Sequence, residues 1–360
     1  MRSVVVCLSG GVDSAVAAHL LKQQGYDVVG LTFWLWSFSR APQGQRMSPC
    51  CSLDAAAQAA RDLGIPHDVV DRSDAFEQVV LAEFARRHRR GETPNPCGRC
   101  NRSLRFDAAL EYARDKGFDY VATGHHVRIR RESDGRFALC RGRDPHKDQS
   151  YFLYGLRPEQ LPRLLFPVGE LEKREVFALA RRERLSAAER PESQDLCFAV
   201  AGSTSYLFDA ADFPPGDVVD RDGRVLGMHD GLLRYTIGQR RGLGIASDQP
   251  MYVLDLDVRH NQLVVGPEDG LYASSLNADE ANYLDDPPAE RTELAAKIRY
   301  RSPTFPATFS PQAKDAFTLD FDPPQRAVTP GQLAVLYDGE RLVGGGTIRS
   351  RRAGPPSQPL

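Results

Sequence analysis

The chain has no apolar run long enough to cross a bilayer, and its first residues carry no charged-then-apolar leader. Neither membrane insertion nor export is expected, and the cytoplasm is. An excess of one charge is missing as well. With 46 basic and 48 acidic residues the net charge over 360 residues is only −2, so bulk electrostatics selects no partner. No lysine follows the early glycines in the order G-x-x-x-x-G-K-[ST], and no G-x-G-x-x-G stands at that place. This excludes the loop of a γ-phosphate-transferring NTPase and the dinucleotide fingerprint. An even cysteine set is lacking too. Seven cysteines without a leader argue against a disulfide scaffold and for reduced thiols.

What is present is a chain that is 41% hydrophobic, enough for two or three domains. Its first part alternates strand and helix patterns. Val4–Leu8, Asp27–Trp34, His67–Asp71 and Tyr120–Thr123 read as strands. Asp13–Gln24, Leu53–Leu63, Ala75–Arg90, Arg102–Lys116 and Glu170–Arg184 read as helices. Such alternation predicts an α/β fold, a parallel sheet with helices on both faces, whose ligands lie at the carboxyl ends of the strands. After Pro214-Pro215-Gly216 the character changes. A hairpin pattern spans Val218–Leu226, and short strands follow at Tyr252–Leu256 and Gln262–Val265. Beyond Asp285–Pro288 come Ala295–Tyr300, Phe317–Phe321, Gln332–Tyr337 and Leu342–Ile348. These predict two small β-rich domains, the last barrel-like. The expected division is 1–208, 209–286 and 287–353, with a Pro-rich, disordered tail over 354–360.

The most specific signal is Leu8-Ser9-Gly10-Gly11-Val12-Asp13-Ser14-Ala15 directly after the first strand. Glycines let backbone N–H groups converge, a helix N-terminus adds partial positive charge, and two serines add hydroxyls. The product is an anion site. A second signal is local charge: seven arginines (86, 87, 89, 90, 99, 102, 105) crowd one acidic residue, Glu92. That stretch reads either as a solvated helix face or as a phosphate-backbone contact. Cys7 and Cys140 sit in strand patterns as small apolar residues. Cys50-Cys51, Cys97, Cys100 and Cys197 sit among turn residues.

The S-G-G-V-D-S string resembles the pyrophosphate loop of ATP pyrophosphatases, an adenine nucleotide alpha hydrolase-like, Rossmann-related group. It includes argininosuccinate, asparagine and GMP synthetases and the tRNA thiolation enzymes. Thr93–Asn101, Thr123-Gly124-His125, Lys147–Leu153, Glu192–Phe198, Tyr235–Gly244 and Gly331-Gln332 resemble the signature blocks of the tRNA-specific 2-thiouridylase family. The likeness runs in order from about residue 3 to 350. It implies an enzyme that adenylates the C2 oxygen of the wobble uridine with ATP and Mg²⁺, then replaces that oxygen with sulfur. Implied partners are the tRNA anticodon stem-loop and a sulfur donor such as a cysteine desulfurase or a sulfur-relay protein.

The resemblance also implies roles for residues. Leu8 to Ala15, Phe33 and Gly124 would touch the nucleotide, with Asp13 helping to hold Mg²⁺. Cys197 would carry the sulfur as a persulfide, and Cys100 would attack it, leaving a Cys100–Cys197 disulfide. Asn95, Pro96, Cys97, His125, Lys147, Asp148, Gln149, Arg299, Tyr300 and Gln332 would contact tRNA. Thiolates attack and thiols do not, so Arg99, Arg102 and Arg105 are candidates for lowering the pKa of Cys100. Two positions depart from the family. Cys97 stands where many members have aspartate, creating a C-x-x-C that could join Cys197 in an iron–sulfur cluster, with Cys50-Cys51 as a further contributor. No bound metal is the favoured alternative. His126 replaces a common tyrosine and is expected to change little. A ligase using ammonia and a tRNA binder with a degenerate ATP site are the competing functions. The first would need neither Cys100 nor Cys197, and the intact loop speaks against the second.

Overall fold

The structure is a computed structural model that describes residues 2–35, 53–192, 196–200, 202–212, 214–313 and 315–354. Cys50, Cys51 and all but Gly354 of the tail expected to be disordered, 354–360, lie outside the described residues.

The first sheet is built from β1 (Ser3–Cys7), β2 (Asp27–Trp34), β3 (His67–Asp71), β4 (Tyr120–Thr123) and a short later strand, Leu164–Leu165, in the order β3-β2-β1-β4 and then that strand. Every pairing in it is parallel. Val4, Val5 and Val6 of β1 are each fully buried. Val5 faces one core, while Val4 and Val6 face the other, the mark of a parallel sheet covered on both sides. Helix α1 (Val12–Gln23) follows β1, and α2 (Leu53–Leu63) follows β2. A helical run of α3 (Ser73–Phe76), a π-helical turn Glu77–Leu81 and α4 (Ala82–His88) comes next. A second run joins α5 (Pro96–Cys100), a π-helical turn Asn101–Arg105 and α6 (Phe106–Lys116). Strand β1 is flanked by β2 and β4, so the chain leaves these neighbours in opposite directions and a crevice opens at the end of β1.

The hairpin of β5 (Val127–Arg131) and β6 (Phe137–Arg141) leaves this sheet altogether. With the strand Leu164–Leu165 numbered β7, α7 (Lys173–Arg182) returns to pack on α1. The middle segment forms a four-stranded sheet of β8 (Gly216–Val219), β9 (Val225–His229), β10 (Tyr252–Asp257) and β11 (Gln262–Gly266), ordered β10-β11-β8-β9. The last segment comprises β12 (Tyr272–Tyr283), β13 (Thr292–Lys297), β14 (Phe305–Ala313), β15 (Ala316–Arg326), β16 (Leu333–Asp338) and β17 (Arg341–Ala353). Pairing of β12 with β17 closes these six strands into a barrel. The α/β class and the barrel expected from the sequence are what the chain adopts. The β5–β6 hairpin joins the barrel sheet through Cys140 opposite Arg341, a long-range pairing with no local signature.

The barrel is clamped to the α/β part by polar groups. Arg87, only 5% exposed, pairs with Glu83, Glu92 and the barrel residue Glu280 at 2.6, 3.1 and 2.9 Å. Asn282 donates to the carbonyls of Tyr154 and Leu156, both at 2.7 Å. Gly98 lets α5 approach: a Cβ there would meet Leu333 Cδ1 at 2.7 Å. The arginine cluster is therefore not a uniform phosphate surface. Arg86 pairs with Glu83 and Arg89 with Asp212, while Arg87 is an interior clamp.

Candidate functional site

The loop after β1 turns at Gly10, whose φ of +81° and near-contact with Ala55 exclude a side chain. Ser14 Oγ donates to the Gly11 carbonyl at 2.9 Å, and Ser9 N donates to Ser14 Oγ at 3.2 Å. Both serines thus shape the loop. Gly11 caps α1 without a side-chain bond, so the first N–H groups of a 12-residue helix are left for an anion. Leu8, Val12 and Ala15 are buried and anchor this turn. Gly124, at the end of β4, presses against it: a Cβ would lie 2.5 Å from Ser14 N. Phe33 places its side chain in the core.

Asp13 belongs to a chain of charged side chains at the crevice. Both of its oxygens accept from Lys173 Nζ at 2.7 Å, and His126 Nε2 lies 3.0 Å from Oδ1. Lys173 also pairs with Glu192 at 2.7 Å, and Glu192 with Lys147 at 2.7 Å. His126 N donates to Gln149 Oε1 at 2.9 Å. Burial alone would raise the Asp13 pKa, but the His126 hydrogen bond and the Lys173 charge outweigh it and hold the carboxyl below its ordinary value. Sequence reasoning missed Lys173 and misjudged His126, which is 2% exposed and bonds Asp13 directly. A lysine at the N-terminus of a later helix carries no motif, whereas His126 stood next to a recognised block. Mg²⁺ was expected at Asp13. Its carboxylate is committed to Lys173 and His126, and no group of three His, Cys, Asp or Glu among the described residues could hold a metal. The protein groups alone make no metal cage, and the cation facing the loop in this structure is the ammonium of Lys173.

The cysteines of interest converge on one core. Cys100 belongs to it, and Cys7 and Cys197 pack against it. Burial pushes the Cys100 thiol pKa up, and the charge and hydrogen bond of Arg105 oppose that rise. Arg105 also opposes the shift of Cys7, pushed up by burial to about 11. Of the three candidate arginines, then, Arg105 serves Cys100. Arg102 turns to the Glu280 carbonyl and the Tyr154 ring, and Arg99 lines the seam with the barrel. His125 lies between Phe106 and Phe166 with Nδ1 2.7 Å from Thr123 Oγ1. Burial first, and Arg105 second, push its pKa down to about 3, so it is neutral. Cys97 is exposed, one turn from buried Cys100.

Most positions expected to meet tRNA have structural duties. Asn95 caps α5 by accepting from Gly98 N at 3.0 Å, and Pro96 is buried behind it. Asp148 is buried and accepts from Gly142 N, Ser150 N and Ser150 Oγ. In this structure its oxygens are taken up by groups of its own loop. Arg299 donates to Ala327 O at 2.6 Å and to Thr329 Oγ1 at 3.0 Å. Tyr300 packs on Phe152, 4.4 Å between centroids. Gln332 donates to Thr93 O at 2.8 Å, tying the barrel to the Thr93–Asn95 loop.

Three family descriptions tile the chain. A tRNA methyl transferase HUP domain matches residues 2–201, a tRNA methyl transferase PRC-barrel domain 204–267, and an aminomethyltransferase beta-barrel domain 273–348. The tRNA-specific 2-thiouridylase MnmA of Geobacter metallireducens is 44% identical over 355 residues, 96% of each chain. That of Magnetococcus marinus is 46% identical, covering 96% of this chain and 99% of its own. The chain belongs to the tRNA-specific 2-thiouridylase family. Among solved structures, a 4-thiouridine synthetase–RNA complex with bound ATP covers 57% of this chain and 45% of its own at 16% identity, with a TM-score of 0.38, too slight a likeness to carry weight. No helix among the described residues is long and apolar enough to cross a membrane.

Proposed function

We propose that this chain uses ATP to replace the C2 oxygen of a tRNA uridine with sulfur. The observation that carries the reading is family membership over nearly the whole chain, joined to a helix N-terminus and Lys173 that face one crevice. The nucleotide's β- and γ-phosphates would lie on the Ser9–Ser14 loop, leaving the α-phosphorus open. The uridine O2 attacks it, pyrophosphate leaves into the field of α1 and Lys173, and C2 gains AMP as a leaving group. A divalent ion would arrive with the phosphates; no step here depends on one.

Cys197 would carry the outer sulfur of a persulfide supplied by a donor protein. That sulfur bonds to C2 as AMP departs. Cys100, as a thiolate steadied by Arg105, attacks the Cys197 sulfur. The sulfur–sulfur bond breaks toward the uridine, leaving 2-thiouridine and a Cys100–Cys197 disulfide. The target base must leave its stack to reach the crevice, and exposed Cys97 beside Asn95 marks the edge it would pass. The reaction belongs in the cytoplasm. Mass spectrometry of tRNA incubated with the enzyme, ATP and a persulfide donor tests the reading. One oxygen-for-sulfur exchange on the wobble uridine, dependent on ATP, is expected; an unmodified tRNA would refute it.

A further inference from the structure

The helix carrying Cys100 bears a second thiol for which the proposed chemistry has no use. Cys97 and Cys100 stand three apart on α5, so their Cβ atoms are about 5–6 Å apart. A disulfide needs about 3.5–4.5 Å. The adjustment is small, and the chain supplies it on both sides: α5 is a five-residue segment, followed by the wider π-helical turn Asn101–Arg105. The two thiols differ in access. Cys97 is exposed, whereas Cys100 is 5% exposed within the core that also holds Cys7 and meets Cys197. A disulfide between Cys100 and Cys197 would thus have one sulfur buried and the other only half-exposed, out of easy reach of a protein reductant, and Cys197 would stay blocked against its next sulfur.

We infer that Cys97 is a third catalytic thiol, which frees Cys197 by passing the disulfide outward to the surface. This rests on the reading that a turnover ends with Cys100 joined to Cys197. The Cys97 thiolate, formed by loss of its proton to solvent, attacks the Cys100 sulfur. The Cys97–Cys100 bond forms, the Cys100–Cys197 bond breaks, and Cys197 leaves as a thiolate that takes up a proton or the next sulfur. No electrons are gained or lost in this exchange. A dithiol reductant then attacks the exposed Cys97 sulfur, releasing Cys100. Its second thiol resolves the mixed disulfide, so the reductant is oxidised by two electrons and both cysteines return as thiols.

The test is one turnover of the full-length enzyme with tRNA, ATP and one equivalent of persulfide, without reductant. Acid quench, alkylation and mapping of linked peptides then follow. Wild type is expected to show Cys97–Cys100 with Cys197 alkylated. Cys97→Ser is expected to retain Cys100–Cys197 and, given a protein dithiol reductant, to run later turnovers at least about tenfold more slowly. Wild type trapped as Cys100–Cys197 with Cys97 alkylated would overturn the inference, as would Cys97→Ser cycling at the wild-type rate. A first turnover with no thiouridine refutes the proposed function itself. Thiouridine made with neither disulfide formed removes the resolving step and this exchange with it.

Discussion

Lys173 Nζ sits 2.7 Å from both carboxylate oxygens of Asp13, across 160 positions of sequence. The pairing joins the loop after β1 to the start of α7, and Glu192 extends it to Lys147. A lysine held by two carboxylates at a helix N-terminus has a fixed position. It is preorganised to meet developing negative charge without reorganising when that charge appears.

Lys173→Met should lower ATP–pyrophosphate exchange by about 10²-fold or more, the scale on which a preorganised charge partner acts. Asp13→Ala should do the same by releasing the ammonium. tRNA binding, measured by filter retention, should persist in both. Near-wild-type exchange in either variant would remove that residue from the adenylation step.

Arg87 should prove a stability residue. Replacing it with Met leaves Glu83, Glu92 and Glu280 facing one another in a largely buried seam, at a cost of about 3 kcal/mol in denaturant unfolding. Arg90→Ala, on an exposed arginine of the same stretch, should leave unfolding unchanged and flatten the dependence of log tRNA affinity on log salt. Equal effects of the two substitutions on unfolding would mean the clamp contributes little.

His88 gives a pH signature. Its ring is buried against Phe84 and Phe208, and burial pushes its pKa from 6.5 down to about 4, against a hydrogen bond with the Phe84 carbonyl that favours the charged form. Below pH 6.5 the unfolded chain binds a proton that the folded chain refuses, so stability is full above 6.5 and falls as pH drops toward about 4. His88→Asn keeps a donor for the Phe84 carbonyl and removes the titration. Its loss of stability between pH 6.5 and 4 should be shallower than wild type by at most one proton's worth of slope. Parallel curves would place the acid sensitivity elsewhere.

Much of the site was legible because its chemistry is local. The glycines of the Ser9–Ser14 loop and the cysteine pair of α5 act through neighbours in sequence, and β2, α2, β3 and β4 lie where their patterns ended. Lys173 was not legible, because an ion pair across 160 positions leaves no periodicity. The burial of Asp148 was not legible for a related reason: a surface-looking Lys-Asp-Gln is folded inward by three hydrogen bonds from Gly142 and Ser150. The β5–β6 hairpin was grouped with residues 1–208, and only the pairing of Cys140 with Arg341 shows that its strands extend the barrel sheet.

The two thiols Cys100 and Cys197 should fail in different ways. Cys197→Ser should accept no transferable sulfur and make no thiouridine, yet still catalyse ATP–pyrophosphate exchange, because the loop and Lys173 are untouched. Cys100→Ser should load sulfur on Cys197 and then stall, because nothing attacks the sulfur–sulfur bond. Arg105→Gln should fall between them. Without the guanidinium, burial acts on Cys100 unopposed, so the pH midpoint for its alkylation should move upward and the stalled step should recover as pH is raised. Arg105→Lys, which keeps a positive charge, should restore part of the rate at neutral pH. Full thiolation by Cys100→Ser, or an Arg105→Gln alkylation midpoint equal to wild type, would detach the buried thiol or its guanidinium from the sulfur-transfer step.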